Sequence, residues 1–185
     1  MAISPFLHDH PSEGLSLAAD FVEERWYAAY TSANHERRVA EQLGMRKVDH
    51  FLPVYASVRK WKDRRVKLDL PLFPGYVFVR LALRDRLRVQ QVPGVARLVG
   101  FGGTPVALPG EEIEALRRGL ARGVSAVPHP FLSVGRRVKL NNGPLAGMQG
   151  ILLRRKGNFR VVISIELIQR AVVVDADASD IETVN

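Results

Sequence analysis

Along most of the chain the apolar residues either alternate with polar ones or run on in groups of four or five, and β-branched and aromatic residues dominate those runs. Both habits belong to strands. Alternation marks a sheet with one wet face, and continuous runs mark one covered on both. RWYAAYT (25–31), HFLPVYA (50–56), PLFPGYVFVRL (71–81) and VARLVGF (95–101) read this way. Pro53 places the second at an edge or a bulge, because proline has no amide to give a ladder.

Helical spacing occurs in three places. In SANHERRVAEQLGMRK, Ser32 or Asn34 can cap a helix with Glu36 in its first turn. Val39, Ala40 and Leu43 fall on one side of it, and His35, Arg38 and Gln42 on the other. RDRLRVQQV (84–92) fits a short helix. PGEEIEALRRGLAR (109–122) fits a longer one, with Glu111 and Glu112 at its positive end and Arg117, Arg118 and Arg122 at its negative end. Strands interrupted by such helices predict an α+β sandwich, an antiparallel sheet flanked by helices.

From residue 132 onward only strands are legible. Val138 and Leu140 alternate with Arg137 and Lys139, and ILLRRK, FRVVISIEL and QRAVVVDAD supply three further strands. NNGPLAGMQG is a tight turn, with Gly143, Pro144, Gly147 and Gly150 in ten residues. Short strands at this density predict a small all-β barrel. Between the blocks, ARGVSAVPHPF (121–131) has no steady period and reads as a linker. The expected layout is therefore a flexible tail over 1–24, an α/β domain over 25–120, the linker, and a barrel over 132–185.

PLFPGYVFVRL bears most directly on function. Alternation puts Val77 and Val79 on one face and Tyr76 and Phe78 on the other. Two valines suit packing against helices. Two aromatics suit either a second packed side or a docking surface.

Charge narrows the partner class. The formal net charge is +8 and the pI near 10.3, which favours a polyanion or a machine that handles one. The basic residues concentrate in VRKWKDRRVK (58–67), read as a long hairpin loop, where Arg59, Lys60, Lys62, Arg64 and Arg65 are candidates for phosphate contact. Trp61 either stacks on a base or packs on the loop stems. The chain has no cysteine, so disulfides, zinc–thiolate sites and thiol catalysis are excluded. GFGG (100–103) lacks the ending of a phosphate loop, and no catalytic constellation, cofactor site or metal site emerges. The opening twenty residues lack the features of a signal peptide, no stretch is long and apolar enough for a membrane span, and a cytoplasmic protein is expected.

WYAAYT, PLFPGYVFV, VPGVARLVGFGGTPVALP and GRRVKLNNGPLAGMQGIL, in that order, resemble the NusG family of transcription elongation factors from about Arg25 to the C-terminus. The resemblance implies an N-terminal NGN domain that binds RNA polymerase and a C-terminal SH3-like KOW barrel. PLFPGYVFV and SIELIQRAVVVD are similar to the specialised paralogues, of the RfaH and UpxY kind, which implies an operon-specific factor favouring processive elongation and antitermination. By the same resemblance, Tyr30, Phe73, Tyr76, Phe78 and Phe101 form an apolar patch for the clamp helices of the polymerase's largest subunit. His35, Arg38 and Gln42 would meet the non-template DNA strand, and the basic hairpin would lie near upstream DNA. Ser32 and Gln42 depart from the RfaH pattern, so any sequence preference must differ. Leu167 and Ile168 occupy the barrel loop that in the family takes a small-subunit ribosomal protein or the terminator Rho, and Glu166–Gln169 differs enough from the family's loop to put Rho in doubt. The Val- and Ile-rich strands argue for a barrel throughout. A ribosome- or RNA-binding KOW protein is the alternative, disfavoured by the apolar character of the aromatic patch.

Overall fold

The computed structural model describes residues 21–61, 64–131, 135–155 and 158–184. Most of the expected tail and Lys62 of the basic hairpin lie outside the described residues. For Arg59, Lys60 and Trp61 only the backbone is described.

The first half is built on one four-stranded antiparallel sheet. It contains β1 (Arg25–Thr31), β2 (Asp49–Phe51), β5 (Tyr76–Leu81) and β6 (Val95–Leu98), in the order β2-β5-β1-β6. β1 and β5 pair with Tyr30 opposite Tyr76, Ala29 opposite Val77 and Ala28 opposite Phe78. Opposed residues share a face, so this register sorts the side chains into two sets. Tyr27, Ala29, Val77, Val79 and Leu98 pack against Val39 and Leu43 of helix α1 (Glu36–Met45) and Val89 of the short α2 (Leu87–Gln90), in a core of their own. Trp26, Ala28 and Phe78 belong to a second cluster on the opposite face, with Ile113, Ala115 and Leu116 of α3 (Gly110–Ala121).

Several local expectations change. The segment 50–56 is two strands: β2 ends at Phe51, and β3 (Val54–Trp61) starts after Pro53. The described parts of the basic segment, 58–61 and 64–67, are strand. β3 pairs with β4 (Arg64–Pro71) from Val54↔Pro71 out to Trp61↔Arg64, giving a two-stranded ribbon that projects from the sheet. Neither Ser32 nor Asn34 caps α1. Asn34 takes a left-handed conformation, φ 61°, and His35 occupies the cap position with no side-chain bond to the helix. The strand expected over 95–101 divides into β6 and β7 (Gly100–Phe101), which pairs with β8 (Thr104–Pro105).

The second half is a six-stranded antiparallel sheet in the order β14-β10-β11-β12-β13-β9. It comprises β10 (Arg137–Leu140), β11 (Gln149–Arg155), β12 (Asn158–Ile165), β13 (Arg170–Ala176), β14 (Ile181–Thr183) and β9 (Ala126–His129). β9 lies within the stretch read as linker. It pairs with β13 from Ala171↔His129 to Val174↔Ala126, so part of the connection is structure. Gly143 and Gly147 take φ of 80° and 92° in the β10–β11 turn, a backbone open to glycine at little penalty. A Cβ at Gly150 would overlap the carbonyl oxygen of Val162 on the neighbouring strand, so the sheet closes up there only around glycine.

The two halves pack together. The cluster holding Trp26 and Phe78 continues without a break into Leu145, Met148, Val161, Ile165, Ile168 and Val172 of the second half. The approach is tight at Gly119 of α3, where an added Cβ would overlap Leu145 Cδ2 and lie 3.1 Å from its Cγ.

Candidate functional site

The face of the first sheet opposite α1 and α2 carries four of the five aromatics singled out from the sequence. Tyr30, near the end of β1, and its cross-strand partner Tyr76, at the start of β5, meet in a tilted pair with ring centroids 5.4 Å apart. Phe73 meets Phe78 edge-on at 5.5 Å. Offset and edge geometries of this kind add about 0.5–1.5 kcal/mol per pair beyond area burial. The chain reaches them through the Pro74–Gly75 turn, closed by the Tyr76 amide donating to the Phe73 carbonyl at 3.1 Å. Gly75 has φ of 86°, which favours glycine. Phe101 stands apart, 73% exposed at the tip of the β7–β8 hairpin.

Three neighbours were missed by sequence reasoning. Phe51 packs on Phe78 at 6.2 Å, and its place opposite Phe78 in the β2–β5 ladder follows from strand alternation. The Arg97 guanidinium lies 5.0 Å from the Tyr30 ring centroid, within cation–π range. Arg117 lies 5.8 Å from Trp26 and 6.0 Å from Phe51, and pairs with Asp49 at 3.2 Å. The arginine contacts join residues remote in sequence, so no local pattern announces them.

The second half covers this face. Phe73 and Phe78 are 1% and 0% exposed, within the cluster that the two halves share, whereas Tyr30 keeps 37% of its surface. Arg170, the first residue of β13, lies 6.0 Å from the Tyr76 ring centroid. The loop before it is turned inward as well: Ile168 is buried in the shared cluster and Leu167 packs on it. Beside these contacts a cleft of 580 Å³ separates the halves, lined by Phe101, Leu108 and Glu112 on one side and by Arg137, Ile151 and Glu166 on the other. Burial pushes the Glu112 carboxyl above its ordinary value of 4.5, and the Glu166 carboxylate pushes it in the same direction.

The candidate nucleic-acid residues lie on α1 and the ribbon. His35 and Arg38 are exposed and Gln42 is half-buried. The His35 Nδ1 is 2.9 Å from the Ala33 carbonyl oxygen. Arg37, on the same helix, donates to the Asp69 carbonyl of β4, which sets the base of the ribbon against α1. Arg64, Arg65 and Lys67 of β4 lie along the ribbon, with Arg64 and Arg65 exposed. Among the described residues no cluster of three or more metal-ligating side chains occurs, and no helix is long and apolar enough to cross a membrane.

Residues 24–117 match the family described as "Transcription termination factor nusG". The chain is 27% identical over 175 residues to the transcription termination/antitermination protein NusG of Escherichia coli K12, covering 86% of this chain and 96% of that one. It is 28% identical over 175 residues to the protein of the same name from Vibrio vulnificus, with the same coverage. Its fold is similar to a solved structure titled "Domain interaction in Thermotoga maritima NusG", with a TM-score of 0.54 and 24% identity over 88% of this chain and 98% of that one.

Proposed function

The chain belongs to the NusG family of non-enzymatic transcription factors, and from that premise we propose that it binds RNA polymerase through the face of its first sheet opposite α1 and α2. The observation that carries this reading is the segregation of the sheet's side chains. One face is filled by α1 and α2 with aliphatic residues, while the other gathers Tyr30, Phe73, Tyr76 and Phe78. Aromatic anchors of this type contribute about 2 kcal/mol or more each when buried in a partner. The partner proposed is the pair of clamp helices of the polymerase's largest subunit, a helical element that an apolar aromatic patch can accept. Phe101, at the tip of its hairpin, supplies a further anchor at the rim.

The packing of the second half implies that this face is exposed only when the barrel moves away. The same movement frees Leu167 and Ile168, the loop proposed to take a ribosomal protein. Docked on the polymerase, the first domain bridges the cleft and favours processive elongation, while the exposed side of α1 and the basic ribbon meet the non-template strand and upstream DNA. The Glu166–Gln169 loop favours an operon-specific, antiterminating role, and the site of action is the cytoplasm.

Binding to core RNA polymerase, measured at physiological salt with structured RNA as competitor, tests the reading. Tight binding that survives the competitor and is weakened by about thirtyfold or more in a folded Tyr76→Ala variant is expected. Binding to RNA alone, with the polymerase ignored, would transfer the protein to the RNA-binding class.

A further inference from the structure

Glu36 is the one carboxylate buried in the first domain among the described residues, 5% exposed, yet no cation pairs with it there. It sits in the first turn of α1, where the helix dipole favours a negative charge. Its Oε1 accepts a hydrogen bond of 2.7 Å from the Gly75 amide, thirty-nine residues away. The other polar group of Gly75 is held too: its carbonyl accepts from the Thr31 amide at 2.8 Å. A Cβ at Gly75 would touch the Tyr30 ring at 3.4 Å. Both backbone groups of one glycine are thus fixed, one by the end of β1 and one by the start of α1. That glycine lies between Phe73 and Tyr76, in a left-handed conformation that a free turn would leave readily.

We infer that Glu36 is a positioning residue for the docking turn: its carboxylate fixes the Gly75 amide so that Phe73 and Tyr76 are presented in one geometry, in register with the outer face of α1. This rests on the polymerase-docking reading given above. The physical reason is preorganisation. Without the acceptor the Gly75 amide seeks water and the turn samples other conformations, and the apparent affinity falls by the fraction of time spent in them. A buried acceptor also ties the docking turn to the helix proposed to meet DNA, so the two contacts are made by one rigid unit.

The test is a double-mutant cycle on the full-length chain, with affinity for core RNA polymerase as the readout and the exchange rate of the Gly75 amide as its structural companion. Glu36→Ala is expected to weaken binding roughly tenfold, as a competent fraction near one tenth would give, and to speed Gly75 exchange. Glu36→Gln, which keeps an oxygen acceptor, is expected to restore both to within about threefold. Combined with Tyr76→Ala, Glu36→Ala is expected to cost less than it does alone, because one of the two rings that the turn presents is already gone. Additive losses, or Gln failing to rescue, would overturn the inference and leave Glu36 as a general contributor to stability. If Tyr76→Ala itself leaves polymerase binding unchanged, the docking reading fails, and a changed Gly75 exchange rate would then report the hydrogen bond alone.

Discussion

Replacing Gly119 by alanine sets two effects of opposite sign against each other. Within α3, alanine is the better residue, stabilising a helix interior by up to about 1 kcal/mol over glycine. That gain is present whether or not the barrel is docked. At the domain contact the added methyl would overlap Leu145 Cδ2, with Cγ at 3.1 Å and Val124 Cγ2 at 3.7 Å. Leu145 is itself 5% exposed, so it has little room to turn away. Inserting a carbon into a filled contact of this kind costs about 1–3 kcal/mol. This cost falls only on the closed arrangement, which shifts the closed–open balance toward open by roughly 5- to 150-fold. The assay is convenient because the chain has no cysteine. Dyes placed through Met45→Cys on α1 and Lys139→Cys on β10, both exposed sites, report the separation of the halves by energy transfer. Gly119→Ala is expected to lower the transfer efficiency, raise polymerase affinity and leave or raise the melting temperature of the first domain. Unchanged transfer with unchanged affinity would show that Leu145 accommodates the methyl freely, and that the contact at Gly119 does not govern closure.

Glu112 sets a pH dependence. Its carboxyl is raised by burial and by Glu166 across the cleft. A raised acid favours the closed arrangement below the ordinary value of 4.5, and that contribution is lost as pH rises through the raised value. Glu112→Gln should therefore flatten the transfer signal over the window just above 4.5, and a slope unchanged from the parent would remove Glu112 from the account. Phe78→Ala should lower stability by about 3–5 kcal/mol in denaturant titration, since a fully buried ring leaves a cavity. Tyr76→Ala should cost far less, which makes it the cleaner probe of docking; equal losses would place both rings in the same core. Removing Arg64 and Arg65 together should reduce the salt dependence of DNA binding by about 0.7–0.9 in log–log slope for each phosphate no longer neutralised, and an unchanged slope would mean that the ribbon is merely solvated.

What can be read from the sequence, and what cannot, divides along physical lines. Strand alternation alone separates Val77 and Val79 from Tyr76 and Phe78, and the structure places those pairs on opposite faces in different clusters. The separation is legible because the period of two is a property of the strand itself. The ribbon reads as a loop because its residues are polar and charged at positions where a buried strand would be apolar; a projecting two-stranded ribbon has no core to write a pattern. β9 escapes for a related reason. Ala126–His129 contains Pro128 and too few residues to establish a period, and it becomes a strand only because β13 offers it an edge. The covering of the aromatic face lies further still from local pattern. Gly119 reads as a weak point in a helix until Leu145 is seen against it, and Glu36 reads as a first-turn acid until the Gly75 amide is seen donating to it. In each case the residue's local propensity is ordinary or poor and its role is set by a partner far along the chain. Those are the positions where a substitution that improves local structure should damage the assembled one, which is why Gly119→Ala, a better helix residue at a worse contact, is the sharpest test of how the two halves are held together.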